Sequence, residues 1–203
     1  AFCAGADLAA AATDYAGSDD RGLGLEIGFN PLAEALAALP VPLVVAVNGA
    51  AAGAGCSYAL AGDIVLAARS AYFVQSFAQI GLAPDAGATW LLPRLAGSAR
   101  ARAMMLLGDR ISATQAEAWG MIHAAVDDGE LMPAARAMAA RLAAGPTLAY
   151  GLIRQGLARA TTQTFAETLA MEREHQRIAG RTADHAEGIA AFRARRAPRF
   201  TGG

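Results

Sequence analysis

Few side chains in this sequence are placed to do chemistry. Asp85 stands in Ala83-Pro84-Asp85-Ala86-Gly87, with Phe77, Ile80, Leu82, Trp90 and Leu91 close to it along the chain. A carboxylate in apolar company is poorly hydrated, which raises its pKa toward the range useful for proton transfer. The competing reading is a turn aspartate that caps the next helix, and cap hydrogen bonds would hold the pKa down. Cys56 and Ser57 have the right atoms for nucleophiles. Neither lies in a G-x-S-x-G elbow, and His123, His175 and His185 are all far downstream, so both read as small core residues. Gly53-Ala54-Gly55 follows an apolar run. A dinucleotide fingerprint would need a third glycine where Tyr58 stands and an acid about 20 residues on, and Asp63 comes too early. The run therefore either packs a helix tightly or points backbone N–H groups at an oxyanion, a phosphate or a thioester oxygen. No cluster of residues suggests a metal. Arg94, Arg100, Arg102 and Arg110 read as solvated faces. Arg193, Arg195, Arg196 and Arg199 read as a solvated end more than as a phosphate patch.

The elements that must hold these residues can be read from pattern. Residues 43–47 form a β-branched buried strand, broken by Asn48-Gly49. The small-residue run 50–55 opens a helix reaching about Leu60. Strands come next at 64–67 and 72–75, and the chain turns at Pro84-Asp85. Upstream, Asp7 is expected to cap the segment after it. Residues 9–27, with Gly17, Gly22, Gly24 and Asp19-Asp20, read as a loop or broken helix and as the most mobile internal segment. A helix is expected over 30–39, with Pro31 in its first position and Pro40 ending it. Helices at 87–95 and 99–107, the latter stopped by Gly108, precede a Ser112-x-x-Gln115 capping box for a helix ending at Gly120. Residues 123–126 form a short strand. From Glu130 the pattern is helical: 131–144, 146–159, 165–178 capped by Thr164-x-x-Glu167, and 182–195. The division is thus 1–129 as an α/β core and 130–203 as a helical region whose apolar faces suit packing between subunits.

Composition narrows the class. A chain of 203 residues with 17% charged residues can bury a core, so disorder is not expected. The net charge of −1 argues against a nucleic-acid surface. No apolar run reaches the roughly 20 residues needed to span a bilayer, so no membrane partner is expected. Two cysteines, Cys3 and Cys56, make no disulfide framework, and the expected location is cytoplasmic. The opening, AFCAGADL, has no methionine and reads like the middle of a domain.

Two segments together are specific. Phe2-Cys3-Ala4-Gly5-Ala6-Asp7-Leu8 and the run from Asn48 through Gly53-Ala54-Gly55-Cys56 resemble the enoyl-CoA hydratase/isomerase (crotonase) superfamily. Asp63-Ile64, Gly81-Leu82-x-Pro84, Gly87-x-Thr89 and Gly108-Asp109-Arg110-Ile111-Ser112 agree with it, as does the ending around Glu187-Gly188-Ile189 and Pro198-x-Phe200. The resemblance covers essentially the whole chain, with roughly the first 60 residues of a typical domain absent. It implies a spiral of β-β-α units leading into a helical trimerisation region. It also implies an acyl-CoA thioester substrate, with no cofactor beyond the coenzyme A carried by that substrate, and a homotrimer or homohexamer.

Transferred by motif position, the thioester oxygen would lie between the N–H groups of Ala6 and Ala54. Ala4, Asp7, Leu8, Gly53, Ser57, Tyr58, Phe77, Pro84 and Trp90 would line the substrate, and Phe192 and Arg195 would reach a neighbour's coenzyme A. Gln176 stands where some hydratases carry an aromatic. Hydratases carry two glutamates, and this chain has Ser57 and Phe77 at those positions. The remaining carboxylate, Asp85, sits in a context that resembles the ring-opening phenylacetate-pathway isomerases, including the epoxide isomerase. One carboxylate suits a proton shuttle within a substrate better than addition of water. The expected activity is therefore isomerisation through an enolate. Hydration, nucleophilic dehalogenation or hydrolysis by Asp85, and acyl-CoA binding without chemistry stand as alternatives.

Overall fold

The computed structural model of the chain describes residues 1–7 and 20–203. They fall into two compact units, residues 1–38 with 43–135 and residues 39–42 with 136–203.

The first unit is built around six strands in two small sheets. β1 (Val44–Val47), β3 (Ile64–Ala68) and β6 (Ala124–Val126) form one all-parallel sheet in the order β1-β3-β6. β2 (Ala50–Ala52), β4 (Tyr72–Val74) and β5 (Ile111–Ser112) form the other, with β2 parallel and β5 antiparallel to β4. The first two passes of the chain each leave one strand in each sheet and then a helix, the β-β-α unit of a spiral, whereas the third places the helix Ala113–Ala118 between β5 and β6. β1 is paired residue for residue with β3, from Val44 with Ile64 to Val47 with Ala67. The start of that pairing is fixed by Asp63, whose carboxylate accepts from Leu43 N–H at 2.6 Å while its own N–H donates to Leu43 O at 2.9 Å. Such reciprocal bonds set register before the apolar side chains pack.

Between the sheets and their helices lie Val47, Cys56, Phe73, Leu92 and Met104, each almost wholly buried. α3 (Ala54–Leu60) leaves β2 through Gly53. α4 (Ala88–Ala96), α5 (Ser98–Leu107) and α6 (Ala113–Ala118) come after it. Gly108, at φ 70°, ends α5 in the left-handed conformation that glycine adopts without penalty. Ser112 caps α6 by accepting from Gln115 N–H at 3.2 Å, one half of the expected box.

Three expectations need correction. β2 and β5 were not foreseen, because Ala50–Ala52 has the composition of a helix start and β5 is only two residues long; pairing with β4, not propensity, makes them strands. The helix expected at 30–39 begins earlier. Asp20 caps a turn, α1 (Arg21–Gly24), by accepting from Gly22 N–H at 2.8 Å, and a π-turn (Leu25–Phe29) joins it to α2 (Asn30–Ala38). The widened turn closes with Asn30 N–H on Leu25 O, just where Pro31 lacks a donor and its ring would crowd the carbonyl four residues back. Of the segment read as a loop or broken helix over 9–27, the part from Arg21 is a broken helix interrupted by the π-turn, and residues 8–19, which include Leu8, lie outside the described residues.

The second unit is helical. α7 (Leu131–Ala143) runs into it, and α8 (Thr147–Ala160), α9 (Phe165–Ala179) and α10 (Ala183–Ala194) complete it. The Thr164–Glu167 capping box is present in both directions, with Thr164 N–H on Glu167 Oε2 at 2.8 Å and Glu167 N–H on Thr164 Oγ1 at 3.3 Å. The chain's last residues are tied down by Asp184, a buried carboxylate that accepts from the N–H groups of Thr201 and Gly202 at 2.7 and 2.9 Å.

Candidate active site

The site is assembled in the first unit where the N-terminal segment runs beside β2. Phe2 and Cys3 N–H groups donate to Ala50 O, and Ala52 N–H donates to Cys3 O at 2.9 Å, so Cys3 pairs in parallel with Ala51. The next residues then pass the first turn of α3 at very short range. A side chain on Gly55 would place its Cβ 2.4 Å from Cys3 O and 2.7 Å from Cys3 Cβ. One on Gly5, at φ 87°, would lie 2.9 Å from Ala52 O, and 3.7 Å from Ala54 N. Glycine at both positions is what brings the Ala6 and Ala54 regions together. Gly53 turns the chain from β2 into α3 at φ 53° and ψ −126°, a conformation open essentially to glycine alone, and a Cβ there would meet the Phe77 ring at 3.4 Å. Gly53 N–H is taken up by Val74 O at 3.0 Å, whereas the N–H groups of Ala6 and Ala54 make no hydrogen bond among the described residues.

Asp85 sits on the loop between the 3₁₀ turn Phe77–Ile80 and α4. The helix-cap reading of its side chain does not hold. Gly87 occupies the N-cap position with no side-chain bond, and only the backbone carbonyl of Asp85 reaches the helix, accepting from Ala88 N–H at 3.0 Å. The carboxylate is half-buried, and its Oδ1 is buried without a hydrogen-bond partner. Burial holds the Asp85 carboxyl above the usual aspartate range, because the charged form loses hydration that nothing replaces. Tyr58 is close enough that the Asp85 charge adds to burial in pushing the phenol upward. Its hydroxyl donates to Phe29 O at 3.0 Å and its ring stacks on Phe29 with centroids 6.4 Å apart. Phe29 was missed by sequence reasoning, which placed it between a loop and a helix; the aromatic at the π-turn was the available signal.

The other sequence candidates occupy varied surroundings. Phe77 is buried against Gly53, and Pro84 is half-buried beside Asp85 in the chain. Trp90 is 43% exposed on α4, where the Arg94 guanidinium lies 4.1 Å from its ring centroid and bonds its carbonyl at 2.8 Å. Arg100 and Arg110 lie likewise over Trp119 and Tyr72. Ser57 is 1% exposed and gives its hydroxyl to backbone carbonyls. Cys56 is fully buried with its thiol pushed up to about 12, which removes it as a nucleophile at neutral pH. Ala4, Ala6 and Asp7 are exposed. Phe192 and Arg195 belong to the second unit. Phe192 is 83% exposed, and Arg195 ends α10 in the left-handed region at φ 53°. No group of three or more His, Cys, Asp or Glu that could hold a metal ion occurs among the described residues, and no helix among them is long and apolar enough to cross a membrane.

The first unit thus carries a desolvated carboxylate and two backbone amides that make no hydrogen bond among the described residues, groups of the kind that can hold a carbonyl oxygen and move a proton. Comparison with known proteins fixes the family. The enoyl-CoA hydratase/isomerase family model matches residues 1–203, and the chain belongs to that family. It is 52% identical over 202 residues to a 1,2-epoxyphenylacetyl-CoA isomerase of Escherichia coli, covering 99% of this chain and 77% of that protein. A probable enoyl-CoA hydratase of Rhodobacter capsulatus is 43% identical over 206 residues, covering 100% of this chain and 77% of that protein. Among solved structures, a putative enoyl-CoA hydratase/isomerase from Mycobacterium abscessus superposes with a TM-score of 0.93 at 41% identity, covering 100% of this chain and 78% of that one. The fold is the crotonase fold.

Two outcomes are expected from this geometry. Gly55→Ala drives a Cβ into the Cys3 backbone, so it should separate the Ala6 and Ala54 amides and depress turnover far more than a helix-favouring Gly→Ala change elsewhere. Steady-state kinetics beside a circular-dichroism melt tests this. Asp85→Asn should stabilise the fold at neutral pH. A carboxyl whose folded pKa is raised binds its proton more tightly when folded, so wild-type stability falls as pH rises past the unfolded-state pKa. The gain from asparagine should therefore be largest at neutral pH and vanish below the ordinary aspartate range, as read by denaturant titrations across pH.

Proposed function

We propose that the chain is an acyl-CoA isomerase in which Asp85 is the single acid–base group. The observation that carries this reading is the buried, unpartnered Oδ1 of Asp85 on the same unit as two backbone amides that make no hydrogen bond among the described residues. In this reading the thioester carbonyl accepts hydrogen bonds from Ala6 and Ala54. The Asp85 carboxylate takes a proton from the carbon α or γ to that carbonyl, and the C–H electron pair passes into the thioester as an enolate. Asp85 then returns the same proton to another carbon, shifting the double bond; with an epoxide substrate the enolate electrons instead form a new C=C bond as a bond of the epoxide ring breaks, and Asp85 returns the proton to the position that receives that bond's electrons. Desolvation makes the carboxylate a stronger base than an exposed aspartate, and amide donors that strengthen as negative charge builds on oxygen are worth a few kcal/mol each. Substrate contacts are assigned to Ala4, Asp7, Leu8, Gly53, Tyr58, Phe77, Pro84 and Trp90, with Ser57 beside them. The coenzyme A is part of the substrate, and no separate cofactor is invoked.

The resemblance to an epoxyphenylacetyl-CoA isomerase favours an aryl or otherwise conjugated acyl group. Hydration would need a second acid–base group, and the positions for it hold Ser57 and Phe77. We further assign the protein to the cytoplasm, in keeping with free Cys3 and Cys56, and its helical region to oligomerisation. Leu157, Phe165 and Phe192 are 69%, 78% and 83% exposed on the second unit, which suits burial by further copies, with Phe192 and Arg195 reaching a neighbour's coenzyme A.

A panel of acyl-CoA thioesters screened for turnover tests the reading. Asp85→Asn should lower kcat on the best thioester by about 10²–10⁴ while leaving its Kd nearly unchanged. Retained kcat would place the base elsewhere, and solvent oxygen appearing in Asp85 after one turnover would make it a nucleophile instead. Light scattering at micromolar concentration should give the mass of a trimer or hexamer, and a monomer would refute the assembly.

A further inference from the structure

The loop that carries Asp85 is held to the amide-bearing helix by one hydroxyl, and this points to a role for Ser57 that is neither acid–base nor substrate contact. Ser57 is buried in the first turn of α3. Its Oγ lies 3.1 Å from the Asp85 carbonyl and 3.4 Å from the Gly53 carbonyl, the residue before Ala54. The Asp85 carbonyl also accepts from Ala88 N–H, so both of its lone pairs are used. Along the chain from Ala83 to Gly87 no backbone N–H is engaged among the described residues, and the loop passes through Ala86 at φ 47° and Gly87 at φ 85°. A non-glycine residue in that region is strained and persists only when its surroundings hold it. Among the described residues, the side-chain hydrogen bond that holds this loop is the one from Ser57.

We propose that Ser57 is a positioning residue: its hydroxyl, shared between the Gly53 and Asp85 carbonyls, sets the separation between the Ala54 amide and the Asp85 carboxylate. The proposal rests on Asp85 being the acid–base group. At the position where hydratases carry a glutamate, this chain has a strut between the oxygen-holding element and the proton-moving one. A displacement of about 1 Å between such elements can cost on the order of a hundredfold in rate.

The test measures α-proton exchange of phenylacetyl-CoA in heavy water by NMR, with Ser57→Ala, Ser57→Thr and Asp85→Asn made in parallel. Ser57→Ala removes the donor without adding bulk. It should cut the maximal exchange rate about tenfold to a hundredfold with KM nearly unchanged, and a folded Ser57→Thr, which keeps the hydroxyl, should recover most of it. Unchanged exchange in Ser57→Ala beside an inactive Asp85→Asn overturns the strut and leaves the single-carboxylate mechanism standing. A loss shared between rate and KM, or an equal loss in a folded Ser57→Thr, marks a general packing role and also overturns it. Should Ser57→Thr not fold, the rate-against-KM split in Ser57→Ala decides. Full exchange in Asp85→Asn removes the mechanism itself and the strut with it.

Discussion

The structure depends on a close approach of two backbones. The N-terminal segment lies against the first turn of α3 with Cys3 O in the space a Gly55 side chain would fill. That contact is possible only where no Cβ intervenes, and it is reinforced by the hydrogen bonds linking Phe2 and Cys3 to Ala50 and Ala52. The result is a pair of amides, Ala6 and Ala54, drawn from segments almost fifty residues apart and left without partners among the described residues. Ala6 is exposed, but Ala54 is buried, where an unsatisfied N–H is costly and is tolerated when a ligand oxygen completes it. The two sheets serve this arrangement. β2 sits between the N-terminal segment and β4, so the paired strands fix where α3 begins.

Polarity near Asp85 reflects the same economy of side chains. Ser57 and Phe77 bring no carboxylate to the site. One becomes a tether and the other a wall against Gly53, and the single carboxylate is left with an oxygen that nothing satisfies. Burial accounts for the upward displacement of its pKa. Such an aspartate is out of place as a structural group, since an aspartate retained for capping would accept backbone N–H bonds. The left-handed Ala86 beside it stores roughly 1–2 kcal/mol of strain, which the fold must hold in place. Strain, two amides without a partner among the described residues and a desolvated carboxyl thus fall in one unit, the usual signature of a site whose local rules yield to chemistry.

The sequence by itself determined a good deal. The β-branched run before Asn48, the glycine stop at Gly108 and the Thr164–Glu167 box are local features whose energetics act within a few residues, and they were legible. The family could also be named, because the segments Phe2–Leu8 and Asn48–Cys56 resemble its motifs. What the tertiary structure decided was everything set by partners distant in sequence. Ala50–Ala52 is a strand because β4 pairs with it, against its own propensity. Phe29 matters because a π-turn ahead of Pro31 carries it to Tyr58. Asp85 was ambiguous between cap and acid, since both uses favour the same Pro-Asp-x-Gly turn; only the burial of Oδ1, produced by packing around the loop, separates them. Ser57 likewise looked like a core filler until the loop 28 residues away brought a carbonyl to its hydroxyl.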